Sequence, residues 1–74
     1  MKTNERIREL REEGYYSQQR IADYINVAQR TYSDYESGRI SIPLDRLIVL
    51  AKYYNVSMDY ISGVTDERKE FPQD

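Results

Sequence analysis

Seventy-four residues make one domain, near the lower limit at which an apolar core holds a fold without covalent help. The chain has no cysteine and no histidine, which excludes disulfides, thiolate metal sites and histidine acid–base chemistry. Its net charge of −2 and pI near 5.1 exclude the uniformly basic surface that usually marks a nucleic-acid binder.

Met1-Lys2-Thr3 leads straight into a charged segment, so neither a signal peptide nor a membrane span is expected and the chain reads as cytoplasmic. Thr3 is positioned to cap a first helix, with Glu5 and Glu9 nearer the positive end of its dipole. Ile7 and Leu10 give that helix an apolar stripe, with Arg11 on the same side. The Glu5–Arg8 and Arg8–Glu12 spacings suit exposed ion pairs. Gly14 is expected to end the helix in a left-handed turn.

The stretch Ser17–Gly38 reads SQQRIADYINVAQRTYSDYESG. Ser17 suits an N-cap, and Ile21, Ala22 and Ile25 fall on one face of a helix over Gln18–Ile25. Asn26 suits a left-handed residue ending that helix, and Val27 is an apolar plug. A second helix over Gln29–Glu36 carries Tyr32 and Tyr35 at i, i+3. Two short helices around a three-residue break make a helix-turn-helix. Ala28 precedes the second helix, which therefore starts without a hydroxyl cap, a loss of roughly 1 kcal/mol.

Arg39–Pro43 reads as a loop, because proline disfavours helix in the residue before it. Leu44, Leu47, Ile48, Leu50, Ala51 and Tyr54 then form the strongest apolar stripe, a central core helix that Asn55 can end. Ser57 caps a short fifth helix with Met58 and Ile61 inward, closed by Gly63. Residues 1–63 thus make the domain. The charged tail 64–74 is expected to fray or be disordered. Residues 1–63 carry nine Lys/Arg and nine Asp/Glu, while 64–74 carry two against four. The domain itself is neutral, so affinity for phosphate requires charge to be segregated between its faces.

Gln18, Ala22, Val27, Thr31, Tyr35, Glu36 and Gly38 resemble the ordered pattern of the Cro/phage-repressor type helix-turn-helix family. Ile7-Arg8-Glu9-Leu10-Arg11 upstream and Pro43, Leu47, Leu50-Ala51 and Asn55–Gly63 downstream extend the resemblance over residues 5–63. It implies an all-α, compact, five-helix lambda-repressor-like domain. Two departures stand out: the family's usual glycine falls where this chain has Tyr15, with Tyr16 in the leucine position, and Ala28 replaces a common serine.

The resemblance implies a sequence-specific DNA-binding transcriptional regulator that binds double-stranded DNA as a homodimer on a pseudo-palindromic operator. A bacterium, phage or mobile element is the implied source, and repression the implied action. Base contacts would come from Ala28, Gln29, Arg30, Thr31, Ser33 and Asp34 at the start of the second motif helix. Gln29 can pair with adenine and Arg30 with guanine, each discriminating by roughly 1–3 kcal/mol. Asp34 has three readings: a base contact, a partner for Arg30 at i+4, or a repulsive element against wrong sequences. Phosphate contacts would come from Ser17, Gln18, Arg20, Ser37, Gly38 and Arg39. Arg11 and Glu36 match positions that form an internal ion pair. Tyr53, Val56 and Tyr60 are the expected dimer surface.

Two rivals keep the same fold: a protein-interaction module that has lost DNA binding, and an antitoxin that also binds a toxin. An anti-repressor protein is a further conceivable partner. No cofactor, metal or catalytic residue is expected, since no nucleophile–base set can be assembled and the carboxylates follow helix-surface spacing.

Overall fold

Local chemistry sets where each helix begins and ends. In the computed structural model, which describes residues 1–73, five helices follow in order: α1 (Thr3–Glu13), α2 (Gln18–Tyr24), α3 (Gln29–Ser37), α4 (Leu44–Tyr54) and α5 (Met58–Ile61). Ser17 and Ser57 cap α2 and α5 through their hydroxyls, which accept from the backbone N–H of Arg20 and Tyr60. Asn26 and Asn55 adopt the left-handed conformation where the sequence calls for a helix to stop, and Gly38 does so at the end of α3. Ile25 caps α2 rather than lying within it, and α3 runs one residue further than expected, to Ser37.

The apolar stripes converge on one core. Ile7 and Leu10 of α1, Ile21 and Ala22 of α2, Tyr32 and Tyr35 of α3, and Leu47, Leu50 and Ala51 of α4 are all buried, with Val56, Tyr60 and Ile61 closing one end. α3 packs against both α2 and α1, while α5 packs against α4 and α1. Leu44 departs from its expected inward position and is largely exposed, because it opens α4 one turn ahead of the buried stripe. Among the described residues no helix is long and apolar enough to cross a membrane.

The start of α1 differs from expectation. Lys2, not Thr3, is its cap residue, and the Glu5 carboxylate accepts from the Lys2 backbone N–H at 2.9 Å. The Thr3 hydroxyl instead donates to the Ser62 carbonyl at 2.7 Å, tying α1 to the end of α5. Of the two expected surface pairs, Arg8–Glu12 forms at 3.3 Å; Glu5 is engaged with its own helix start instead.

The turn after α1 also corrects the sequence reading. Gly14 has a φ of −86°, and it is Tyr15, at φ +59°, that takes the left-handed conformation. Gly14 is needed for space: a Cβ there would come within 2.5 Å of the Tyr16 ring. That ring turns inward against Tyr53 and Tyr54, with centroids 5.5 and 6.3 Å away.

Residues beyond Gly63 pack on the five helices. Beyond Gly63 the chain folds back over α5 and the ends of α1 and α4. Asp66 pairs with Arg6 at 2.8 Å and Arg68 with Glu13 at 2.7 Å. The Ser57 N–H donates to the Lys69 carbonyl at 2.8 Å, and the Phe71 N–H donates to the Asn55 side-chain oxygen. Phe71 is half-buried against the core. Arg6 is the physical reason for this docking. It is 2 % exposed, and a buried guanidinium is costly unless its charge is matched and its donors are used. It donates to the Tyr60 carbonyl at 2.7 Å, lies 3.5 Å from Glu9, and stacks 3.7 Å above the Tyr60 ring centroid. Val56 and Tyr60 are buried as part of the core; of the expected dimer surface, only Tyr53 keeps partial exposure.

Candidate nucleic-acid interface

The backbone supports α3 from behind and leaves its front open. Tyr32, Tyr35 and Glu36 are buried on one side, whereas Ala28, Gln29 and Arg30 are exposed at its start and Thr31, Ser33 and Asp34 are half-buried. Ala28 makes no side-chain cap bond, as its methyl group requires. The first turn of α3 is therefore held by the turn geometry and by packing of α3 on α2.

Behind α3 lies a polar brace. Arg11 Nε and Nη2 donate to the two Glu36 carboxylate oxygens at 2.7 and 3.0 Å, and Nη1 donates to the Tyr16 carbonyl at 2.9 Å. Gln18 Nε2 adds a bond to Glu36 Oε1 at 3.2 Å. Burial opposes ionisation of Glu36, but the bonds from Arg11 and Gln18 outweigh it and hold its pKa below the usual carboxylate value. Burial raises the Tyr32 and Tyr54 phenols well above their ordinary range. The Asn4 amide donates to the Glu36 carbonyl at 3.2 Å, satisfying a carbonyl near the end of α3 that has no partner within the helix.

The front surface has its own order. Asp34 lies 3.9 Å from Arg30 and 4.0 Å from Arg39. It is only 23 % exposed, while the two arginines are 80 % and 68 % exposed, so both guanidiniums remain available to an anionic partner. The Asp34 carbonyl accepts from the N–H groups of Arg39 and Ile40, and the Ser37 hydroxyl donates to it. Ser37, Gly38 and Arg39 form one exposed corner at the end of α3. Ser17 and Arg20 are exposed at the start of α2; Gln18 beside them is half-buried and engaged with Glu36. Arg46, half-buried, pairs with its neighbour Asp45 at 3.1 Å.

Charge is unevenly spread over the surface despite the neutral total. Along α1, Glu5, Glu9, Glu12 and Glu13 line one groove with Arg8 as its lone cation. The helix-turn-helix carries exposed Arg20, Arg30 and Arg39 alongside exposed Asp23 and half-buried Asp34. The structure thus leaves Gln29 and Arg30 exposed near the start of α3 and ties Arg11 to Glu36 behind it. Sequence reasoning missed Asn4 and Arg6. Arg6 had one readable signal: it precedes Leu10 by four residues, so it shares the buried face of α1.

The comparisons with known proteins follow the same segment. A family model described as helix-turn-helix matches residues 7–61. The HTH-type transcriptional regulator YobD of Bacillus subtilis is 40% identical over 63 residues, covering 85% of this chain and 56% of that protein. The HTH-type transcriptional regulator ImmR of Bacillus subtilis is 31% identical over 70 residues, covering 95% of this chain and 55% of that protein. Among solved structures, a transcriptional regulator from Listeria innocua superposes with a TM-score of 0.82 at 32% identity, over 89% of this chain and 62% of that one. The chain therefore spans little more than half the length of the curated relatives it matches.

Proposed function

Since the chain belongs to the Cro/phage-repressor type helix-turn-helix family, we propose that it is a sequence-specific DNA-binding transcriptional regulator that reads the major groove with α3. The observation that carries this reading is the division of α3: Gln29 and Arg30 stand exposed at its start, while Glu36 on its back is clamped by Arg11 and Gln18. A helix braced from behind presents base-reading groups with little freedom left to lose on binding. Ala28, Thr31, Ser33 and Asp34 complete the base-facing set, and Asp34 acts chiefly by holding Arg30 and Arg39 in place. Phosphate contacts come from Ser17, Gln18, Arg20, Ser37, Gly38 and Arg39.

In this reading the regulator is a repressor of bacterial, phage or mobile-element origin acting in the cytoplasm. It binds a pseudo-palindrome as a homodimer, with half-sites roughly 34 Å apart. Pairing of two small domains raises avidity steeply. The interaction-module reading, with an antitoxin as its special case, draws on the neutral charge of residues 1–63 and on the acidic groove along α1.

The test is selection of bound duplexes from a random DNA library, repeated with Gln29→Ala and Arg30→Ala. Enrichment of a two-fold symmetric site, altered at matched positions in each half by these variants, is the expected result. No enrichment even at low salt, where the phosphate term is strongest, would remove the regulator reading and leave the interaction module.

A further inference from the structure

Tyr15 combines a left-handed backbone with an exposed aromatic ring. Its backbone is left-handed, at φ +59°, a conformation that bulky side chains rarely adopt because Cβ crowds the carbonyl oxygen. Its side chain is 95 % exposed, so it gains almost nothing from packing that would offset this strain. Strain of this kind persists where surrounding structure imposes it, and it concentrates at functional positions.

The surroundings do impose it. Gly14 N–H bonds to the Leu10 carbonyl, Tyr15 N–H to Glu12 and Tyr16 N–H to Arg11, all within 3.0–3.1 Å. Arg11 then spans the Tyr16 carbonyl and the Glu36 carboxylate, which ties this turn directly to the back of α3. Tyr16 turns inward and Ser17 begins α2. Tyr15 is thus a projecting aromatic ring on a mount held to α3 through Arg11, two residues before Ser17.

We propose that Tyr15 is a further contact to the backbone of duplex DNA, its ring lying against deoxyribose and its hydroxyl donating to a phosphate oxygen. This inference rests on the DNA-binding reading given above. A tyrosine has few rotatable bonds to freeze, which suits it to such a contact. The contact is neutral, so it adds affinity without displacing a counterion, unlike Arg20.

The experiment compares wild type, Tyr15→Gly, Tyr15→Asn and Arg20→Ala on the duplex enriched by the selection above, over a range of salt concentrations, with melting temperatures measured in parallel. Glycine and asparagine both suit the left-handed backbone and both remove the ring; asparagine controls for added flexibility. Each should melt higher by roughly 4–8 °C and bind roughly threefold to tenfold more weakly, the loss of one hydrogen bond. Their salt slope should match wild type, whereas Arg20→Ala should flatten it by about one unit. If either Tyr15 variant binds as tightly as wild type, the contact is overturned and the DNA-binding reading stands. If wild type itself binds no duplex at low salt, both are overturned.

Discussion

Arg11 and Glu36 are joined by two parallel bonds, Nε to Oε2 at 2.7 Å and Nη2 to Oε1 at 3.0 Å, across the interface between α1 and α3. This fork geometry is the strong form of an ion pair. Removing one partner strands the other in a mostly dry setting. Arg11→Ala and Glu36→Ala should each destabilise the domain by about 3–5 kcal/mol, measured by urea unfolding. A loss below about 1 kcal/mol would place the pair in the class of ordinary surface bridges.

The same pair sets the acid limb of the stability profile. Glu36 has a folded pKa below its ordinary value of 4.5, so the folded state releases its proton more readily than the unfolded chain. The stabilisation is therefore complete above pH 4.5 and is lost as the pH falls through the lower folded value. Wild type should lose stability more steeply than Glu36→Gln over that acid range, and the two curves should converge. Parallel curves would show that other carboxylates govern acid unfolding.

Asp66 holds Arg6 from an exposed position, its side chain 85 % exposed against 2 % for the arginine. Solvent screens that side of the pair, so Asp66→Ala should cost only about 1 kcal/mol. Arg6→Ala should cost more, about 1–3 kcal/mol, because it leaves the buried Tyr60 carbonyl without its donor. Ending the chain after Gly63 removes both Asp66 and the cover from Phe71, and should lower the unfolding free energy by about 2–3 kcal/mol. Equal stability of the full and shortened chains would mean that the tail only rests on the surface.

Tyr54 offers a change in the opposite direction. Its buried hydroxyl finds no hydrogen-bond partner among the described residues, and burial raises its pKa. Tyr54→Phe keeps the ring beside Tyr16 and Tyr53 while removing the unpaired group. It should stabilise the domain by about 1 kcal/mol in urea unfolding. A net loss would show that the hydroxyl is satisfied in solution.

What could be read in advance was what short-range chemistry controls. The stripe of Ile21, Ala22 and Ile25 and the stops at Asn26 and Asn55 depend on neighbours within one or two turns, and all appear where expected. The turn at Gly14 and Tyr15 went the other way. Glycine preference argued for a left-handed Gly14, but packing of the Tyr16 ring over Gly14 shifted that conformation to Tyr15. Arg6 escaped notice because it looks like one more charge in a charged helix; its partners Tyr60 and Asp66 lie more than fifty positions away. The pairing of Arg11 with Glu36 was readable through the family pattern. The brace formed with Gln18 and the Tyr16 carbonyl was not, since no spacing rule connects them.

The bond from Arg6 to Asp66 also sets an order of events during synthesis. A guanidinium destined for the buried face of α1 meets its carboxylate only after sixty further residues have been added to the chain. Translation proceeds at roughly 5–20 residues per second, so the nascent helix waits for seconds with that charge still in water. Closure around Arg6 is in this sense a late step in the synthesis of this segment, set by a carboxylate sixty residues downstream.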